Sequence, residues 1–228
     1  MKKLQFIHIG KCGGSTISKL LDHSPIVQKK YSEIIISHVC GVRADPSFDF
    51  LLCLRNPISR AHSAFSWRKK LVVQDALPDQ RGRFPGEYEV LSKYESMDNL
   101  GSRLYKDSGS SLNHFVARDL DLIHHLRESI SFYLKPLRNI LTIENTFGVI
   151  CQESLSEDCE KILGIPADDL FVRRNERKDP MACLSANCLA NLRKYLSQDY
   201  ICIVDLWSKG ILSDQKLSQL IFDVPNAT

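Results

Sequence analysis

The chain has 228 residues, is 43% apolar, and carries 30 basic against 27 acidic side chains for a formal net charge of +3. That is enough apolar material for one sizeable core, so a single α/β domain spanning 1–228 is the default reading. So even a charge balance suits an enzyme with local anion sites better than a nucleic-acid coat protein.

The first apolar run, Leu4 to Ile9, predicts a short buried strand that enters the glycine-bearing turn of FIHIGKCGGST (Phe6 to Thr16), followed by a helix over Ser15 to Leu21. The β-branched run EIIIS, Glu33 to Ser37, predicts a second strand with His38 at its carboxyl end. Asp49 to Leu54 predicts a third strand ending on Arg55, and Ile58 to Lys70 a helix with Ala61, Ala64 and Phe65 facing inward. Strands alternating with helices point to a parallel sheet. From Gln74 to Gly101 the breakers Pro78, Gly82, Pro85 and Gly86 predict a surface excursion with one short helix near Glu87 to Tyr94, and residues 74–110 read as a surface insertion or acceptor loop. Ser111 to Asp119 and Leu120 to Leu134 are predicted helical, Asn139 to Ile143 a strand, and Ser154 to Leu163 a helix stopped by Gly164 and Pro166. Leu189, Leu192, Leu196, Tyr200, Ile203 and Trp207 recur at helical spacing and predict one long helix over Ser185 to Trp207.

The eight cysteines are scattered and form no CxxC pair or Cys/His cluster with zinc spacing, so they read as reduced, mostly buried thiols. The opening MKKLQFIHIG is too short for a signal-peptide core, and no run approaches membrane-spanning length. The chain therefore reads as soluble and cytoplasmic.

Two turns carry chemistry. In the first, Gly10, Gly13 and Gly14 let the backbone approach an anion, the following helix offers N–H groups and a positive dipole end, and Lys11, Ser15 and Thr16 add a charge and two hydroxyls. A nucleotide-hydrolysing P-loop places its lysine after the last glycine, whereas here Lys11 precedes the glycine pair. In the second turn, FLLCLRNPISRAHSAF (Phe50 to Phe65), Arg55 stands where a metal-holding aspartate would end the strand, and Ser63 follows about two helical turns later. An arginine and a serine so placed can grip one phosphate.

Together these motifs resemble the sulfotransferases that use 3'-phosphoadenosine 5'-phosphosulfate (PAPS), in particular the carbohydrate branch related to heparan sulfate 2-O- and 6-O-sulfotransferases. GKCGGST is similar to that family's PKTGGT-like 5'-phosphosulfate loop, and RNPISRAHSAF to its RDPxxRxxSxY-like 3'-phosphate segment. Gly10 and Cys12 stand where the family usually has proline and threonine, and Asn56 where it has aspartate. The resemblance implies an α/β fold of the P-loop NTPase-like type, a three-layer sandwich around a central parallel sheet. It implies that Lys11, Cys12, Gly13, Gly14, Ser15 and Thr16 hold the 5'-phosphosulfate and that Arg55 and Ser63 hold the 3'-phosphate. The segment Ser37 to Val39 looks like the family's GHV segment, which makes His38 the candidate base beside Lys11 as a catalytic residue. The basic run Arg173 to Pro180 falls where the family closes a loop over the 3'-phosphate, which adds Arg174 and Lys178, while a solvated charged loop is the plain alternative. Glu144 resembles the glutamate of the family's VGLTE segment. PAPS is then the donor co-substrate, no metal is required, and the acceptor is a carbohydrate or lipid-linked saccharide, with Trp67, Arg68 and Lys69 near its mouth. A P-loop kinase-like phosphotransferase and a non-catalytic nucleotide- or sulfoglycan-binding module are the two other classes these turns allow.

Overall fold

A computed structural model describes residues 2–39, 42–106, 111–166 and 184–222. The strands are β1 (Lys2–Ile7), β2 (Tyr31–Ser37) and β3 (Phe48–Leu54), then a small antiparallel pair β4 (Tyr105–Lys106) and β5 (Ser111–Leu112), and finally β6 (Thr146–Cys151). The helices are α1 (Gly14–Leu21), α2 (Pro25–Lys30), α3 (Pro57–Lys69, continued by a π-helical turn over Lys70–Gln74), α4 (Pro78–Arg81), α5 (Glu87–Lys93), α6 (Met97–Gly101), α7 (His114–Asp121), α8 (Ile130–Leu134), α9 (Leu155–Leu163), α10 (Ala186–Tyr195), α11 (Ser197–Ser208) and α12 (Asp214–Phe222).

β2, β1, β3 and β6, in that spatial order, form a parallel sheet flanked by helices, as an α/β fold requires. All seven residues of β3 are buried, which is why an interior parallel strand reads as the near-continuous apolar run FDFLLCL. Its one charge, Asp49, accepts from Lys2 Nζ and from the Tyr31 hydroxyl, both at 2.8 Å. Register sets Leu4 opposite Ile34 on one side of β1 and Phe6 opposite Leu51 on the other. The chain leaves β1 for a neighbour on one side and then passes to β3 on the other. The carboxyl ends of β1 and β3 therefore flank a topological switch point, where open α/β sheets hold ligands.

The chain divides into two compact units. The first, residues 1–56, 130–176 and 199–223, contains the sheet and a core built on Leu4, Phe6, Phe50, Leu52, Val149 and Ile150, with Leu155, Cys159 and Leu163 of α9 packed in. The second, residues 57–129, 177–198 and 224–228, is mainly helical and buries Phe65, Leu91, Tyr94, Leu100, Leu120 and Leu192 among others.

Several expectations are corrected. The short helix expected near Glu87 is α5, but the stretch after Gln74 also holds α4 and α6, and its Leu91, Tyr94, Met97 and Leu100 are fully or almost fully buried. Arg68 lies at no mouth: it is 3% exposed and its guanidinium pairs with Glu87 at 2.6 Å. The strand expected at Asn139 to Ile143 is a turn, because Thr142 N–H donates to Asn145 Oδ1 (2.9 Å) and Asn145 Nδ2 to Ile140 O (2.9 Å), so local side-chain bonds outcompete a ladder and the strand starts at Thr146. Glu144 is exposed in that turn. The helix expected over Ser111 to Asp119 begins only at His114, after β5. The helices expected over Leu120 to Leu134 and Ser185 to Trp207 are each two, broken at 122–129 and at Leu196.

Cys12, Cys53, Cys151, Cys159 and Cys188 are buried thiols outside any disulfide, as expected, and Cys202 is half-buried. Burial pushes Cys159 up to about 11 and Cys188 up to about 12, so neither offers a thiolate near neutral pH. Among the described residues no helix is long and apolar enough to cross a membrane.

Candidate functional site

The apolar β1 ends at Ile7, and the chain must then turn sharply into α1. It does so with two left-handed residues, Lys11 (φ +70°) and Gly13 (φ +84°). Left-handed residues in such a turn let backbone N–H groups converge on an anion-binding concavity. Gly13 caps α1, whose first turn has no side-chain cap and no acidic residue of its own to offset the positive helix end. Cys12 anchors the loop instead of facing out of it: its side chain lies in the core, and its N–H donates to Ile9 O at 3.3 Å. Ser15 is exposed, while Lys11 and Thr16 are half-buried at the loop.

The loop is closely packed from two sides. A Cβ on Gly14 would sit 1.9 Å from His8 Cδ2, and one on Gly13 would sit 2.5 Å from Gln152 Oε1. At Gly14 a side chain lacks room against the His8 ring, and at Gly13 the left-handed φ favours glycine. His8 therefore belongs to this region, although in sequence it reads only as a packed strand residue.

On the β2 side, His38 follows directly after the strand, and its ring stacks on that of His8 with centroids 4.2 Å apart and planes at 28°. His38 Nδ1 lies 2.9 Å from His8 O. A carbonyl can only accept, so Nδ1 carries the proton and Nε2 holds the lone pair. Burial, together with the His38 ring, pulls His8 down to about 4 and keeps it neutral near pH 7.

On the β3 side, Arg55 is 6% exposed and its Nη1 donates to Lys11 O at 3.2 Å, tying the strand end to the loop. Asn56 is buried: its N–H donates to Glu153 Oε1 and its Nδ2 to Leu220 O, both at 2.9 Å, so it shapes the turn. Glu153 and Gln152 follow directly after β6. Both were missed in sequence because the strand before them was placed several residues too early.

Lys11, Gly13, Gly14, Ser15, Thr16, His38 and Arg55 thus stand at the carboxyl ends of three adjacent strands of one sheet. Ser63 lies half-buried on α3, at the predicted spacing from Arg55, and belongs to the second unit. Arg173, Arg174, Arg177 and Lys178 lie outside the described residues. The site carries a lysine charge, an arginine charge, a helix N-terminus and an imidazole with a defined base nitrogen. Chemically, that set can bind a polyanion and withdraw a proton from a neutral nucleophile. No protein-family model, no curated protein and no solved structure matches the chain.

Proposed function

We propose that this protein is a PAPS-dependent sulfotransferase acting on a hydroxyl of a carbohydrate acceptor. The observation that carries the reading is the placement of the Lys11 loop, His38 and Arg55 at neighbouring strand ends around the sheet's switch point. The 5'-phosphosulfate binds over Gly13 and Gly14 at the head of α1, with Lys11 on its charge, and Arg55 holds the 3'-phosphate. His38 Nε2 takes the proton of the acceptor hydroxyl as its oxygen attacks sulfur. The bond from sulfur to the bridging phosphate oxygen breaks in line, releasing 3'-phosphoadenosine 5'-phosphate and a sulfate ester. Lys11 and the loop amides stabilise the charge that gathers on the departing oxygen. A kinase-like phosphotransferase reading is less well supported. Glu153, just after β6, accepts the Asn56 N–H and so braces a turn.

Calorimetry with 3'-phosphoadenosine 5'-phosphate, against ATP with magnesium, tests the donor class. Tighter binding of the former is expected, and preference for ATP with magnesium would overturn the reading. Labelled PAPS offered with a panel of glycans then tests transfer: binding without transfer to any acceptor would point to a nucleotide- or sulfoglycan-binding module.

A further inference from the structure

We propose that the turn after α7 is a divalent transition-metal site, of the zinc type, formed by His124 Nδ1, a ring nitrogen of His125 and the Glu128 carboxylate. The inference is independent of the sulfotransferase reading, for all three residues lie in the second unit. The three ligand atoms lie within 4.8 Å of one another. His124 Nδ1 and Glu128 Oε2 are 3.3 Å apart. Metal–ligand bonds of 2.0–2.2 Å at tetrahedral angles put neighbouring ligand atoms about 3.4 Å apart, so this edge of the site already has the required length. Two imidazoles and one carboxylate are a donor set that suits zinc and its neighbours, with a fourth position for water or another ligand.

The surroundings hold the ligands in place, as outer partners do around metal sites. Glu128 is 2% exposed, and Arg127 donates to its Oε1 through Nε (3.0 Å) and Nη2 (2.8 Å), which turns Oε2 toward the two histidines. The positive charge of Arg127 opposes a cation, but its side chain is 62% exposed and screened by solvent. The His125 N–H donates to the same Oε2 at 2.9 Å, and a carboxylate oxygen has a second lone pair for a metal. The His124 ring stacks on Phe84 at 4.2 Å, and the His124 backbone N–H donates at 2.8 Å to Glu87, itself locked to Arg68. Arg60, 1% exposed, donates to the carbonyls of His125 and Glu128 and pins the turn from beneath. His125 has φ +69°, a conformation uncommon outside glycine, so this braced backbone, not local preference, sets where its ring lies. Closing the triad around an ion needs side-chain rotations that move ligand atoms by no more than about 1.5 Å.

Cobalt(II) is the probe, because its visible spectrum separates nitrogen and oxygen ligation from binding at cysteine. One equivalent added to the whole, metal-free chain should give intense tetrahedral d–d bands without thiolate charge-transfer absorption. Excess cobalt should raise the thermal midpoint by roughly 5 °C at a hundredfold over Kd. Glu128→Gln, which keeps the acceptor for His125 and a similar shape, should weaken binding by more than about tenfold with an unchanged near-ultraviolet circular dichroism spectrum. His124→Asn should do the same, and if it fails to fold, Glu128→Gln decides alone. No d–d spectrum in the wild type, a thiolate-dominated spectrum, or unaltered affinity in Glu128→Gln would each overturn the proposal.

Discussion

Lys11 and His38 have separable duties at the candidate site, and substitution should separate them. Lys11→Ala removes a full charge from both the bound donor and the developing anion, so kcat/KM for transfer should fall by about 10²–10³ and affinity for 3'-phosphoadenosine 5'-phosphate should weaken. His38→Ala should lower kcat by about 10²–10⁴ while donor affinity stays within error, because the base meets the acceptor and not the nucleotide. Transfer from labelled PAPS and calorimetry on the same preparations read both numbers. Undiminished transfer by Lys11→Ala would sink the mechanism, whereas undiminished transfer by His38→Ala would remove only the base. Gly14 gives a further test at this scale. With a Cβ 1.9 Å from His8 Cδ2, Gly14→Ala must displace a ring that is itself stacked on His38. A loss of about 1–3 kcal/mol in urea unfolding is expected from such overpacking, and an unchanged urea midpoint would contradict the packing described.

At the scale of elements, α8 shows how far tertiary structure can set a helix boundary. It has only five residues, too few to persist by propensity, and the first N–H groups of any helix need acceptors. The buried carboxylate of Asp199 supplies them, accepting from Ile130 N at 3.1 Å and Ser131 N at 2.8 Å across nearly seventy positions of sequence. Asp199→Ala should therefore cost about 1–3 kcal/mol, measured as a lower urea midpoint with unchanged slope, whereas a surface aspartate would cost almost nothing. The same region explains why two helices were read as longer than they are. The break at 122–129 ends where the chain passes from the second unit to the first, and the break at Leu196 comes just before the crossing between Gln198 and Asp199. Helical periodicity runs through both breaks, because each side supplies apolar residues to its own core: Leu120 and Leu192 in the second unit, Ile130 and Ile203 in the first.

For the molecule as a whole, stability should depend on pH through His8. Its ordinary value is 6.5 and burial lowers it to about 4 in the fold, so the unfolded chain binds a proton across this window while the native state does not. Stability is then complete above about pH 6.5 and declines as pH falls toward 4, by at most about 3 kcal/mol, less whatever solvent screens at a half-buried ring. His8→Gln cannot titrate and should flatten part of that slope. Urea midpoints compared at about pH 5 and pH 7 measure it, and equal slopes in the two proteins would show that His8 does not carry the effect.

What could be read from sequence was whatever local chemistry dictates. The strands around Phe6, Ile35 and Leu52, the glycine turn, the helix carrying Ser63 and the stop at Gly164 all announce themselves through apolar runs, β-branching and breakers, and they lie within a few residues of the expected places. The parallel sheet followed from their alternation. Three things were decided only in the fold. The position of β6 depended on a Thr142–Asn145 turn that resembles a strand until its side-chain bonds are seen. The place of His8 depended on the absence of a Cβ at Gly14 and on the stack with His38, contacts between different strand ends. The His124, His125 and Glu128 cluster depended on breaking an apparently continuous helix and bracing the turn with Arg60 and Glu87 from elsewhere in the chain. A local pattern carries the energy of neighbours in sequence, whereas the packing and hydrogen bonds that place these residues join positions dozens of residues apart.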